Sequence, residues 1–260
     1  MVAREPPYTL SRAAEEVHQM AHGHEWAEEL ELGGGAAEQQ SVPLLRIAEG
    51  DRVAARRFGI WIQAQQKPCD MASSWVCQGV MHWMTGDSVE AQWLRQNAEI
   101  HCVPVLNAGA AGADLSAARG MLSDLATEER LDVFVDLQAI TSEKFKLKLW
   151  PSINASRGVG TEFCTWLGKA WPGLEIMCLE EPPYAKKERG QHPTADGISK
   201  DNQATSEWAA SQGDESTLAI TLWIPNRTSG ATLESYDATG AAMVRVVERY
   251  LEIRSRREGR

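Results

Sequence analysis

Long apolar runs are missing from this chain. No stretch approaches the ~18 consecutive apolar residues of a membrane-spanning helix, so no membrane partner is expected. An apolar leader is missing too: Met1 to Leu10 holds Arg4, Glu5 and two prolines where a secretory signal would hold its hydrophobic core. The five cysteines, at 69, 77, 102, 164 and 178, are odd in number and show neither a disulfide framework nor a zinc-site spacing. They read as reduced thiols, which places the chain in the cytoplasm. Cations are in deficit, with 26 Lys and Arg against 36 Asp and Glu. A net charge of -10 repels phosphate backbones, which argues against nucleic acid as a partner. There is no Walker loop, no nucleophile elbow and no kinase signature.

Phenylalanine and tyrosine are scarce at four each, but tryptophan is abundant at ten. Large rings bury much area, so Trp61, Trp150, Trp166 and Trp223 are expected core anchors. Some of the others suit a partner surface, where tryptophan is enriched, although burial in the core is the stronger expectation for them too. With 260 residues and 43% apolar content, a chain of this kind can bury a full core.

The apolar pattern predicts a helix over 11–32, capped by Ser11 and stopped by Gly33-Gly34-Gly35. Residues 1–40 then form an N-terminal helix and glycine-rich link, and residues 41–260 one α/β domain. Residues 42–63 fit either two strands, at Leu44–Ile47 and Phe58–Ile62, or a helix from Asp51. Two helices at 70–84 and 87–98 break at Gly86. Strands follow at Ile100–Leu106, Leu131–Leu137, Phe145–Leu149, Leu174–Leu179 and Leu218–Ile224. Helices fall at 115–126, 161–171 and 236–255, and a long polar insertion spans 182–215. This alternation predicts a mixed, mostly parallel sheet with helices on both faces, Rossmann-like. The short 131–150 stretch demands at least one antiparallel strand pair.

Chemistry-bearing residues concentrate in the turns. Asn107-Ala-Gly109-Ala-Ala-Gly112 follows a strand and precedes a helix, as a dinucleotide fingerprint does. Asp136, on the next strand, falls near the position of a ribose-binding acid. The segment 100–137 therefore resembles a degenerate Rossmann βαβ unit, and a ligand-free glycine turn explains it equally well. A second junction, Ser156-Arg157-Gly158-Val159-Gly160-Thr161, offers amides, hydroxyls and a guanidinium to an anion. Asp136, Glu180 and Asp214 (with Glu181 and Glu215 beside them) are candidate catalytic carboxylates able to hold Mg²⁺ at strand ends. His18 and His22 lie one helical turn apart and can share a metal, but with Glu25 and Glu29 they also make an ordinary polar face. Cys102, Cys164 and Cys178 sit in apolar runs and read as buried thiols. Arg254, Arg256, Arg257 and Arg260 suit the end of the last helix.

Three functional readings follow. The first is binding, with or without turnover, of a nucleotide or other phosphorylated small molecule. Asn107, Gly109, Gly112, Arg157, Gly158 and Gly160 would hold it, with a nucleotide or Mg²⁺ as cofactor. The second is an assembly or regulatory subunit without catalysis, including a homo-oligomer. The third is a Mg²⁺-dependent phosphodiesterase or nuclease using Asp136, Glu180 and Asp214.

Overall fold

The computed structural model describes residues 6–32, 41–50, 58–66, 70–106, 120, 122, 131–142, 144–151, 157–170, 175–179, 209–211, 216–226 and 228–258. The strands are β1 (Ala27–Leu32), β2 (Val42–Ile47), β3 (Phe58–Gln63), β4 (Ala98–Val103), β5 (Leu131–Thr141), β6 (Lys146–Pro151), β7 (Glu175–Cys178) and β8 (Leu218–Asn226). The helices are α1 (Leu10–Gly23), α2 (Met71–Met84), α3 (Val89–Asn97), α4 (Arg157–Ala170) and α5 (Leu233–Glu258). All eight strands form one sheet in the order β1-β2-β4-β3-β5-β8-β6-β7. The central run β4-β3-β5-β8 is parallel, and β6 pairs β7 parallel. The antiparallel pairs are β1 with β2, β2 with β4, and β6 with β8. The mostly parallel α/β architecture is the one the alternation predicts. Its antiparallel step beyond β5 lies between β6 and β8, because β8 intervenes between β5 and β6.

The central strands are buried almost throughout, as strands covered on both faces must be. On one face Ile60, Ile62, Ile100, Val133, Val135, Ile220 and Leu222 pack with Val76 and Val80 of α2 and Met243 and Val247 of α5. On the other, Trp61, Val103, Phe134 and Ala219 pack with Leu122, Ala209 and Ala210. Helices α1 to α5 contribute to the first face; the helical residues 120, 122 and 209–211 supply the second.

Helices α2 and α5 touch backbone to backbone. A Cβ on Gly240 would stand 2.2 Å from the Val76 carbonyl oxygen, and one on Gly79 would stand 2.4 Å from that of Asp237. Only glycine permits that approach, so these two positions fix how closely the helices cross.

Several local expectations change. Helix α1 starts at Leu10, with Thr9 as its cap accepting from the Arg12 amide at 3.2 Å, and it ends at Gly23. Residues 27–32 leave the helix to pair with all six residues of β2. Leu30 and Leu32 then point into the second core, a tertiary pairing that overrides helix propensity. Residues 42–47 and 58–63 are two strands, and they are not neighbours, since β4 lies between them. Trp61 and Trp223 are core anchors, as is Trp75; Trp166 is half-buried. Of the three thiols expected inside, Cys102 is buried, Cys164 is intermediate and Cys178 is exposed. Arg254 is no surface cation: it forms a 2.8 Å ion pair with the fully buried Asp132, whose other oxygen accepts from the Gly59 amide.

The Rossmann-like βαβ reading of 100–137 is corrected by the strand order. β4 and β5 are separated by β3, so Asp136 lies in register with Gln63 of β3 instead of flanking the end of β4.

Candidate functional site

The carboxyl end of β3 brings polar residues together with the middle of the parallel strands β5 and β8. Gln63 pairs with Asp136, Asp136 with Thr221, and Gln138 with Trp223. Alternation along a strand puts Asp136 and Gln138 on the same face as Trp61 and Phe134. Asp136 has no exposed surface. Its Oδ1 accepts from Gln63 Nε2 at 3.4 Å and Gln66 Nε2 at 2.5 Å, and its Oδ2 accepts from Gln138 Nε2 at 2.7 Å.

The orientation of Gln63 is set by chemistry. The indole of Trp61 has only an N–H to offer, and it donates to Gln63 Oε1 at 3.0 Å. The amide nitrogen of Gln63 therefore faces Asp136. Gln66 is presented by a tight turn after β3. Gln65 has φ of 49°, the left-handed region that costs a non-glycine residue energy. Hydrogen bonds hold it there: its N–H donates to Ser73 Oγ at 2.9 Å, and Ser74 Oγ donates to its Oε1 at 2.6 Å. The Ala64 amide meanwhile donates to the Val103 carbonyl at 2.9 Å. The turn thus ties β3, β4 and α2 together and directs the next side chain at β5.

Burial pushes the Asp136 carboxyl from its ordinary 3.8 up to about 7. The three glutamine donors oppose that rise, and the charge of Asp70 adds to it. Asp70 is itself buried, at the N-terminal boundary of α2. One strand over, the Trp223 indole N–H is buried with no acceptor among the described residues. The cluster surrounds one buried carboxyl, which titrates near neutral pH, with three amide N–H donors.

Among the carboxylates and loop residues singled out from sequence, Asp136 stands in this cluster. Asn107, Gly109, Gly112, Glu180 and Asp214 lie outside the described residues. Arg157, Gly158 and Gly160 open α4, directly after β6. Because β6 runs antiparallel to β8, its carboxyl end faces the edge opposite to that of β5 and β8. The structure does not bring those three residues to Asp136. Sequence reading missed Gln63, Gln66, Gln138 and Asp70. Neutral glutamines carry no motif, although Gln138 at two residues from Asp136 on one strand was a signal that they share a face.

His18 and His22 acquire a partner from outside their helix. His18 Nδ1 lies 2.9 Å from Glu29 Oε2, and Glu29 belongs to β1. These three exposed residues are the one group of three or more His, Cys, Asp or Glu side chains with converging ligand atoms among the described residues.

No family model matches the chain, and no curated protein matches it either. Solved structures do. A metallo-carboxypeptidase from Burkholderia cenocepacia matches with a TM-score of 0.72 at 18% identity, over 95% of this chain and 70% of that one. The fold is metallo-carboxypeptidase-like. A metallo-carboxypeptidase from Pseudomonas aeruginosa, in complex with (2-guanidinoethylmercapto)succinic acid, matches at TM-score 0.68 and 18% identity, over 95% and 70% of the two chains. The carboxypeptidase A of Helicoverpa armigera gives 0.65 at 9% identity, over 95% and 73%. These neighbours overturn the nucleotide-binding, Rossmann-like reading and the phosphorylated ligand as partner. They equally displace the assembly-subunit and phosphodiesterase readings, since the shared architecture is that of peptidases. Among the described residues no helix is long and apolar enough to cross a membrane.

Such neighbours imply a metal ion, and the described residues at this edge do not fit one. Transition metals take imidazole nitrogen, thiolate or carboxylate oxygen. Here the carboxylate of Asp136 is surrounded by carboxamide N–H groups, with Asp70 as the second acid nearby. No His or Cys joins them among the described residues.

Proposed function

We propose that this chain recognises the carboxyl-terminal end of a peptide where the end of β3 meets the middle of β5 and β8. The observation that carries this reading is the buried cluster of Asp136, Gln63, Gln66 and Gln138 where the end of β3 meets the middle of β5 in a metallo-carboxypeptidase-like fold. Carboxamides both donate and accept, so they match the alternating N–H and C=O groups of a peptide main chain. The Trp223 indole N–H supplies a further donor for a carbonyl or carboxylate oxygen. An ionised Asp136 repels a terminal carboxylate and a protonated one does not, so recognition strengthens as pH falls below about 7.

Calorimetric titration with short peptides tests this, comparing each free acid with its C-terminal amide. Probes ending in basic residues and (2-guanidinoethylmercapto)succinic acid, the ligand of the Pseudomonas aeruginosa neighbour, belong in the panel. The expected result is saturable binding of the free acids, weakened for the amides and lost in Gln138→Leu. Equal binding of acid and amide, or none by any peptide, overturns the reading.

A further inference from the structure

We infer that the Asp136 site takes its ligand without a metal ion, because glutamine side chains occupy the space around the carboxylate where a cation would have to stand. This rests on the reading of that edge as the peptide site. The argument is one of polarity and direction. A cation must meet lone pairs, and both oxygens of Asp136 meet N–H groups instead, two at Oδ1 and one at Oδ2. Those hydrogens carry the positive ends of the amide dipoles, so the surroundings of Asp136 solvate an anion. Gln63 cannot turn its carbonyl inward, because that oxygen already accepts from Trp61. Turning it would also leave the buried Trp61 indole N–H without its partner.

Softness points the same way. Zinc, copper and nickel select imidazole and thiolate, and among the described residues the one converging group with imidazoles is His18, His22 and Glu29. That group lies on α1 and β1, separated from β5 by β2, β4 and β3. Calcium and magnesium accept carboxamide oxygens, but the amides at Asp136 present nitrogen. The fold is thus shared with metallo-carboxypeptidases while the chemistry of this edge is different. What it provides is a cradle of amide N–H donors around one buried carboxylate.

The test is direct metal titration of the full-length protein, with peptide binding read in parallel. His18→Ala/His22→Ala is used throughout, so that the exposed imidazoles contribute nothing. Zinc, calcium and magnesium are titrated separately by calorimetry, and cobalt is followed by its visible absorption. The expected result is no saturable binding of any of the four at micromolar concentration, with peptide affinity the same in EDTA as in added zinc. One equivalent of bound metal that disappears in Asp136→Asn overturns the inference, and so does peptide binding that EDTA abolishes and zinc restores. The two readings fail separately. Absence of peptide binding sinks the proposed function whatever the metals do. Stoichiometric metal at Asp136 sinks the inference even where peptides bind.

Discussion

Replacing Asp136 with asparagine should change how stability depends on pH, and the size of the change follows from the burial of the group. In the folded protein the carboxyl titrates at about 7, against an ordinary 3.8. Between those values the folded state holds a proton that the unfolded chain has released. Stability is therefore greatest at the acid end, falls as pH rises, and levels off once pH passes 7. The slope is about 1.4 kcal/mol per pH unit, so the full interval of roughly three units corresponds to about 4 kcal/mol. From about pH 5.5 to about pH 8.5, where the assay is practical, some 1.5 units of that slope remain, or about 2 kcal/mol. Asparagine is nearly isosteric and does not titrate. Urea unfolding of both proteins at the two pH values, followed by tryptophan fluorescence, gives the comparison. Wild type should lose about 2 kcal/mol more than Asp136→Asn on going from the acid to the alkaline condition. Glu248 is also raised to about 7, by partial burial first and then by Glu252 and Glu90, but it is present in both proteins and cancels. Parallel pH profiles would refute the reasoning, because they would mean that Asp136 is either solvated or already ionised.

Other perturbations test the frame around the site. Gly240→Ala should destabilise by about 2 kcal/mol or more in urea unfolding, since the new Cβ meets the α2 backbone at 2.2 Å and 2.6 Å. Gly168→Ala in α4, with nothing within 4 Å of its Cβ, should instead stabilise by up to about 1 kcal/mol. Arg254→Met leaves the fully buried Asp132 without its cation and should cost about 3–5 kcal/mol by the same assay. Adding Asp132→Asn should recover part of that loss. Alkylation of the native protein followed by peptide mapping should label Cys178, with Cys77 and Cys102 modified only on unfolding.

The strands were legible where apolar residues run without a break. Val133 to Val135 and Leu218 to Leu222 read as strands from sequence and are buried strands in the structure, whereas for residues 42–63 a helix from Asp51 stood open beside the strand that Ile60 to Ile62 form. Strand order was not legible, because pairing is decided by contacts between distant segments. Nothing in residues 98–137 announces that β3 will insert between β4 and β5, and the Rossmann-like reading of Asn107 to Asp136 rested on their adjacency. Direction mattered as much. The glycine-bearing turn at Arg157 looked equivalent to other strand–helix junctions, yet β6 runs antiparallel to β8 and delivers that turn to the far edge. At the site, Asp136 stood out as an acid near a strand end. Its surroundings did not, since Gln63 and Gln66 come from the end of another strand and the turn that follows it. The glutamines carry neither charge nor spacing to mark them. Charge also misled at Arg254, which looked like part of a basic helix tip until the fold placed Asp132 beneath it.

The central claim is that a peptide meets this chain at the glutamines around Asp136. Side-chain amide resonances report it most directly, because Gln63, Gln66 and Gln138 each donate an N–H to that carboxylate. Nitrogen-15 spectra of the protein with a free-acid peptide should show these three amide pairs shifting together and saturating at the calorimetric midpoint. Saturable shifts confined to other residues, with these three unmoved, would contradict the claim.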